Sequence, residues 1–199
     1  MDKSKQLSKF LNNYNNRLNH LFNQIDKDQL ELIIECFITS FKNGNKLFIA
    51  GNGGSAATAS HMKADFSFYV RYFTDFRPKI ISLTDNMPII TAIGNDTSYD
   101  DIFVEQLKGN FEKGDVFLAI SASGNSPNVV NAVNFVNKNG GKSVSFCGFK
   151  GGILNKISHL RIFTPSLEKE YGPVEDIHMI LMHMLVNFIC EDKDFLKLR

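Results

Sequence analysis

The sequence predicts an α/β protein whose doubly wound, mostly parallel five-stranded sheet is flanked by helices and preceded by N-terminal helices. Five short apolar runs have the length and composition of strands that are buried on both faces. Segments of helical length separate them, and this alternation indicates a parallel sheet. Two runs end in a glycine- or serine-rich turn that leads into a helix, where such sheets bind ligands. The runs are 46–50 (KLFIA), 79–83 (KIISL), 116–120 (VFLAI), 143–146 (SVSF) and 160–163 (LRIF).

Residues 1–44 are predicted to form a helical segment ahead of the sheet. Apolar residues recur at steps of three and four from Leu7 to about Asn43, which is an amphipathic helical pattern. An interruption at 26–28 indicates two helices or one bent helix, and Gly44 ends the second. The apolar stripe can cover this chain's own sheet or pack against a neighbouring subunit, and the sequence leaves both open.

The last predicted helix begins near Pro173 and is apolar around much of its circumference. Pro173 near its start and the acidic Glu175 and Asp176 in its first turn fit the rules for a helix N-terminus. Such a helix is expected to be buried, in the core or at an interface. Because no linker or low-complexity stretch marks a boundary, we expect one domain over residues 1–199.

Composition limits the possible partners and compartments. The 22 Lys and Arg residues nearly balance the 21 Asp and Glu residues, so no overall basic charge drives binding to nucleic acid or a membrane surface. Three dispersed cysteines without CxxC spacing predict neither a disulfide framework nor a cysteine zinc site. Since no signal peptide and no run of about 18 apolar residues is visible, a cytoplasmic protein is expected.

Two turns have the features of phosphate-binding loops. In FIAGNGGSAATASHM, glycines join a strand directly to a helix, so backbone N–H groups and the helix N-terminus can face an anion. In VFLAISASGNSPNVV, serine hydroxyls and backbone amides converge at the carboxyl end of a strand. A tight turn without a ligand remains the alternative for the first loop, and a helix cap for the second.

Two helices carry residues that could move a proton or bind a metal. His61 and Asp65 are four residues apart and share a helix face, so they could bind a metal or act as an acid/base pair. A solvated helix face is the alternative. On the last helix, Glu175 and His178 share a face, and Glu175 lies about 12 Å from His183 along an ideal helix axis. Spacing alone singles out no pair there, and histidines in a helical core remain possible.

Four stretches in this order, GNGGSAATASHMKAD, AIGNDTSYDDIF, AISASGNSPNVV and EDIHMILMH, resemble the phosphoheptose isomerases, which carry a sugar isomerase (SIS) domain. The resemblance covers essentially the whole chain and implies a SIS fold. It also implies an aldose–ketose isomerase that converts sedoheptulose 7-phosphate into D-glycero-D-manno-heptose 7-phosphate by enediol proton transfer, for bacterial lipopolysaccharide or capsule. A homotetramer with active sites between subunits and one Zn²⁺ per site is implied as well.

The resemblance also implies roles for individual residues. Asp65 and His183 correspond to the catalytic residues. The implied zinc ligands are His61, Asp65, Glu175 and His183. The implied phosphosugar-binding residues are Asn52, Gly53, Gly54, Ser55, Asp65, Asn95, Asp96, Ser121, Ala122, Ser123, Ser126 and Glu175.

The chain departs from the family pattern at three of these positions. Asp65 replaces the usual Glu and shortens the side chain by one methylene, Glu175 replaces a Gln, and Ala122 replaces a Thr. A site of two histidines and two carboxylates would be neutral around Zn²⁺, so the first two changes are hypothesised to compensate for each other. The family arginine that follows the catalytic carboxylate has no clean counterpart, although Tyr69 and Arg71 lie nearby.

Two alternatives to this isomerase remain. One is a non-enzymatic SIS protein that binds the replication initiator DnaA, as a relative of this family does. The retained histidines and carboxylates favour the enzyme over this alternative. The other is an isomerase of a different sugar phosphate, which the departures at Asp65, Ala122 and Glu175 favour.

Overall fold

The computed structural model describes residues 3–191, and in this range the predicted five-stranded parallel sheet is present. The strands are β1 (Lys46–Gly51), β2 (Lys79–Ser82), β3 (Val116–Ser121), β4 (Lys142–Cys147) and β5 (Leu160–Phe163). They lie in the order β2-β1-β3-β4-β5, with every neighbouring pair parallel. Each predicted strand is confirmed to within one residue at either end.

The helices alternate with the strands as predicted. Their bounds are α1 (Lys3–Phe22), α2 (Lys27–Lys42), α3 (Gly54–Asp65), α4 (Arg71–Phe73), α5 (Met87–Asp96), α6 (Ile102–Lys108), α7 (Pro127–Lys138), α8 (Leu154–Ile157) and α9 (Tyr171–Glu191). The predicted interruption at 26–28 separates two helices, because the Asp26 carboxylate caps α2 by accepting from the N–H groups of Asp28 and Gln29.

The sheet is covered on both faces. On one face, α1, α2, α3 and α9 pack residues such as Ile33, Phe37 and Met62 against it, and on the other face α6 and α7 pack Phe103 and Val133. The helices in residues 3–191 therefore pack on the two faces of a single sheet. The prediction of one domain covers residues 1–199, including residues outside this range, and stays a prediction.

Only the second half of the N-terminal apolar stripe covers this chain's own sheet. Leu21 at the end of α1 and the apolar face of α2 are buried against this chain's own core. In the first turns of α1, however, Leu7, Phe10 and Leu11 are 57–62% exposed. The second half of the segment thus covers the sheet, and the first half leaves apolar side chains on the surface.

Helix α9 is long and apolar enough to cross a membrane by length and composition alone. Its residues Val174, Ile177, Leu181 and Leu185 are almost fully buried, however, and it packs beside α1 and α3. This side of the helix is part of the core, whereas Ile180, Met184 and Phe188 on the same helix are 37–40% exposed.

The strand order creates a crevice at one edge of the sheet. β1 lies between β2 and β3, so the connection after β1 and the connection after β3 leave for opposite faces of the sheet. Gly51 pairs with Ile120, which places the carboxyl ends of these two strands side by side. Ligands of open α/β sheets bind at such a switch point, and both predicted phosphate loops begin there.

Candidate active site

A cavity of about 280 Å³ lies between the two predicted phosphate loops. Among the described residues, its lining contains no Lys or Arg, so an anion there would be held by backbone amides, hydroxyls and helix N-termini. The structure brings most of the predicted binding residues together in this lining. The lining residues are Asn52, Gly53, Gly54, Ser55, Ile120, Ser121, Ala122, Ser123, Ser126, Tyr171 and Glu175.

The second loop is organised by hydrogen bonds among its own residues. The Ser121 hydroxyl lies 3.2 Å from that of Ser126 and 3.4 Å from that of Ser123. The Gly124 N–H donates to Ser121 Oγ, and the Asn125 N–H donates to Ser123 Oγ. Ser126 is the N-cap residue of α7, but its side chain makes no capping hydrogen bond. The three hydroxyls therefore converge on one another at the cavity wall.

Gly124 is required at the turn of this loop. Its φ is +64°, in the left-handed region that favours glycine. A Cβ atom at this position would overlap the carbonyl oxygen of Gly151. The loop thus approaches the chain after β4 more closely than a side chain would allow.

The first loop forms the opposite wall of the cavity. Gly53, with φ +55°, precedes α3, and the carboxylate of Glu175 lies so close to Gly54 that a Cβ atom there would overlap it. Burial raises the pKa of the Glu175 carboxyl, and the adjacent Asp176 carboxylate raises it further. This acidic side chain from α9 therefore lies against the N-terminus of α3.

Asn52 is held in this cavity by two residues that the sequence did not identify. Its side-chain amide exchanges two hydrogen bonds with that of Asn128, at 2.9 and 3.0 Å. The Tyr99 hydroxyl donates to Asn52 Oδ1 at 3.1 Å. Asn128 is 1% exposed, near the start of α7. Its position directly after Pro127 in the phosphate-loop stretch was the one available signal.

His61, Asp65 and His183 form a second group, which the structure assembles from α3 and α9 of one chain. Asp65 Oδ2 lies 3.5 Å from His61 Nε2 and 3.8 Å from His183 Nε2. The two imidazole rings are 5.0 Å apart, and 46% of each histidine side chain is exposed. One ligand atom from each residue lies within 4.8 Å of the others, so the group could hold a metal ion.

Glu175 lies outside this group. It is eight residues before His183 on the same continuous helix, which is about 12 Å along the axis, and it lines the cavity instead. Its predicted role as a metal ligand is untested by this arrangement and stays a prediction. His178, between the two, is fully buried against Phe146, and burial lowers its pKa to about 4. It is a core histidine, one of the alternatives left open.

Asn95 and Asp96 are exposed at the end of α5 and are bonded to each other, with Asn95 Nδ2 donating to Asp96 Oδ1 at 2.8 Å. Neither lines the cavity among the described residues. Tyr99, three residues after Asp96, is the part of this stretch that reaches Asn52. The predicted contacts of Asn95 and Asp96 with a substrate stay predictions.

Directly after Asp65 the helix widens into a π-helical turn over Phe66–Val70 before α4 begins at Arg71. Such a turn accommodates one extra residue in a helix and is frequent at functional sites. Tyr69, which the sequence places near the position of the family arginine, is in this turn, and Arg71 directly follows it.

Comparison with known proteins identifies the class. Residues 9–148 match the family model of the SIS domain, and the chain therefore belongs to the SIS family of sugar isomerase domains. Solved phosphoheptose isomerases share the fold. That of Francisella tularensis matches with a TM-score of 0.82 at 22% identity, over 95% of this chain and 98% of its own. That of Neisseria gonorrhoeae matches with a TM-score of 0.79 at 24% identity, over 94% and 97%.

The curated relatives narrow this class. Phosphoheptose isomerase 2 of Campylobacter jejuni is 38% identical over 157 residues, which cover 78% of this chain and 76% of the relative. The phosphoheptose isomerase of Aneurinibacillus thermoaerophilus is 36% identical over 171 residues, which cover 83% and 84%. Within the SIS class, this chain belongs to the phosphoheptose isomerases, which are aldose–ketose isomerases.

Proposed function

We propose that this protein converts sedoheptulose 7-phosphate into D-glycero-D-manno-heptose 7-phosphate, for bacterial heptose biosynthesis leading to lipopolysaccharide or capsule. One observation carries the proposal. A cavity lined by amides and hydroxyls lies on the same two helices, α3 and α9, as a His–Asp–His group. The first can hold a phosphate, and the second can exchange protons.

The separation of the two parts suits a seven-carbon substrate. His61 follows Gly54 by seven residues in α3, which is about 10 Å of helix. An extended chain from the first carbon of a heptose to its 7-phosphate also spans about 10 Å, at about 1.2 Å per bond. With the phosphate in the cavity beside Gly54, the carbonyl end would reach the His–Asp–His group.

Isomerisation requires one proton to leave C1 of the ketose and one to arrive at C2. Asp65 and His183 face each other across less than 4 Å and could reach adjacent carbons. One would take the C1 proton as a base, and the other would support ring opening or return a proton. The C1 hydroxyl thereby becomes the carbonyl and the C2 carbonyl becomes a hydroxyl, so atoms and electrons balance.

Zinc fits the donor set of this group. Two ligand atoms of a tetrahedral Zn²⁺ lie about 3.3 Å apart, close to the separations of Asp65 Oδ2 from His61 Nε2 and His183 Nε2. A zinc ion held by these three residues would supply a Lewis acid for adjacent substrate oxygens. Imidazole and carboxylate are also ligands that zinc accepts.

A cytoplasmic homotetramer that binds neither nucleic acid nor membrane completes the proposal. Two features support shared sites between copies of the chain. Glu175 and His183 are too far apart on one helix to reach the same ion from one chain. The first turns of α1 also expose Leu7, Phe10 and Leu11, which is apolar surface that a second copy can cover.

The test is turnover of sedoheptulose 7-phosphate by purified protein with and without Zn²⁺. Asp65→Asn and His183→Ala should each lower kcat about 100-fold or more, because each removes a proton carrier. Asp28→Asn and His20→Ala, on exposed positions of α2 and α1, are the matched controls and should keep wild-type turnover. Wild-type turnover by both site variants would overturn the residue assignment.

An isomerase of another sugar phosphate is the second candidate, favoured by Asp65, Ala122 and Glu175 in place of the usual family residues. Assaying ketose phosphates of five to seven carbons distinguishes the two, because the best kcat/KM identifies the substrate. If the protein isomerises none of these compounds but binds DnaA, the non-enzymatic alternative replaces both.

A further inference from the structure

The orientation of the Asn52 amide is fixed by a chain of donors and acceptors. The Val129 N–H lies 2.9 Å from one side-chain atom of Asn128, and because an N–H only donates, that atom must be the oxygen. The nitrogen of Asn128 then faces Asn52 at 3.0 Å, so the facing atom of Asn52 must be its oxygen. The backbone of α7 thus determines which way the Asn52 amide points.

This orientation commits most of the hydrogen-bonding capacity of Asn52. Its Oδ1 accepts from both Asn128 Nδ2 and the Tyr99 hydroxyl, which uses both lone pairs. One Nδ2 hydrogen is donated to Asn128 Oδ1. The second has no partner among residues 3–191, and Asn52 lines the cavity. The amide can therefore offer a ligand a donor but no acceptor.

We propose that Asn128 and Tyr99 are positioning residues that lock Asn52 so that its free N–H donates to an oxygen of the bound sugar phosphate. This rests on the proposed function, because the cavity is taken as the substrate site. Neither residue lines the cavity among the described residues, so each acts through Asn52. A freely rotating amide could present either its oxygen or its nitrogen, whereas the locked amide selects an acceptor oxygen.

The burial of Asn128 supports this role. A buried side-chain amide is costly unless its polar atoms are bonded, and the two polar atoms of Asn128 make three hydrogen bonds, two with Asn52 and one with the Val129 N–H. A structural cap alone would need only the bond to Val129. The two further bonds reach across 76 residues of sequence to a cavity residue, so they connect α7 to the binding site.

Two variants that leave the charge of the chain unchanged test the inference by steady-state kinetics. Tyr99→Phe removes one donor to Asn52 Oδ1 from an exposed residue and should raise KM about threefold. Asn128→Ser removes the amide pair and should raise KM about tenfold. In both, kcat should stay within about twofold of wild type, because Asn52 would bind ground state and transition state alike. Tyr72→Phe and Asn134→Ser repeat the same changes at exposed positions outside the network and should leave KM unchanged.

The decisive measurement is the double-mutant cycle with Asn52→Ala. If both residues act through Asn52, neither variant raises KM further once Asn52 is Ala. Equal increases in the two backgrounds, or no increase in either, would overturn the inference. If Asn128→Ser fails to fold by circular dichroism, the Tyr99→Phe cycle decides alone.

The same measurements separate this inference from the proposed function. If wild-type protein does not isomerise sedoheptulose 7-phosphate, the proposed reaction fails, and calorimetric affinity for that sugar phosphate then replaces KM in the cycle. A wild type that shows neither turnover nor binding overturns both. A wild type that turns over while the cycle is additive overturns the positioning role alone.

Discussion

The phosphate-loop cavity and the His61–Asp65–His183 group lie on the same two helices, but their polar atoms are in opposite situations. In the cavity, Ser121 and Asn52 are hydrogen-bonded within the chain. In the His–Asp–His group, the carboxylate–imidazole separations of 3.5 and 3.8 Å are long for hydrogen bonds. Both imidazoles are also 46% exposed.

This difference separates binding from chemistry. The cavity is preorganised by hydrogen bonds within its own loops and by Gly124 at a left-handed φ. The His–Asp–His group instead has side chains spaced so that they could hold a metal ion, with no close hydrogen bond joining them. Substitutions in the cavity should therefore affect folding and binding, and substitutions in the group should affect metal affinity and turnover.

The largest effect on stability is expected for Gly124→Ala in the second loop. The left-handed φ alone costs an alanine about 1–2 kcal/mol, and its Cβ would overlap the Gly151 carbonyl oxygen. We expect the free energy of unfolding to fall by about 2 kcal/mol or more, with loss of sugar phosphate affinity. Urea denaturation and calorimetry measure the two effects. Gly94→Ala is the control and should fold and bind normally, because apart from its chain neighbours and the nearby backbone of α5 no atom lies within 4 Å of the added Cβ.

His61→Ala should have the opposite signature. It removes one ligand of the proposed zinc ion from an exposed side chain, so Zn²⁺ affinity should fall about 100-fold, as measured by chelator competition. The midpoint of urea unfolding of the zinc-free protein should stay unchanged, because no core packing is lost. His20→Ala is the matched control. If His61→Ala leaves the zinc affinity unchanged, the His61–Asp65–His183 group is not the metal site. The expected difference between substitutions in this group and substitutions in the cavity would then lack support.

The sequence predicted the sheet well because each strand is a local signal. A run such as 116–120 is apolar at every position, which suffices to identify a strand buried on both faces, and the structure extends it by a single residue to Ser121. The phosphate loops were equally local, since a strand, a turn and a helix N-terminus are contiguous in the chain. Most residues predicted on these loops accordingly line the cavity.

The hydrogen-bond partners of Asn52 could not be predicted from the sequence, because they come from segments far apart in the chain. Asn128 and Tyr99 lie 76 and 47 residues from Asn52 in sequence, and only the folded chain brings them within hydrogen-bonding distance of it. The π-helical turn at Phe66–Val70 was missed for a different reason. It changes the hydrogen-bond step of the backbone without interrupting the helix, so no Pro or Gly marks it in the sequence.

The smallest expected effect concerns the ion pair between Arg17 and Glu170, which lies next to the cavity. Arg17 of α1 donates two hydrogen bonds to Glu170, which immediately precedes the cavity residue Tyr171. The hydrogen bonds from Arg17 lower the pKa of Glu170, although burial opposes this shift. Because the folded-state pKa lies below the ordinary value, the pair stabilises the fold above about pH 4.5, and this contribution is lost as the pH falls through the lowered pKa.

Glu170→Gln should therefore lower the unfolding free energy by about 1 kcal/mol at pH 7, and the difference from wild type should shrink as the pH approaches 3. Thermal unfolding across pH 3–7 measures it, with Glu105→Gln as the control because the Glu105–Lys108 pair is an exposed contact within one helix. If Glu170→Gln lowers stability and leaves turnover unchanged, the Arg17–Glu170 pair contributes to folding and not directly to substrate binding. A raised KM with unchanged stability would instead mean that α1 affects substrate binding in the cavity directly. The cavity would then depend on α1 as well as on its own two loops.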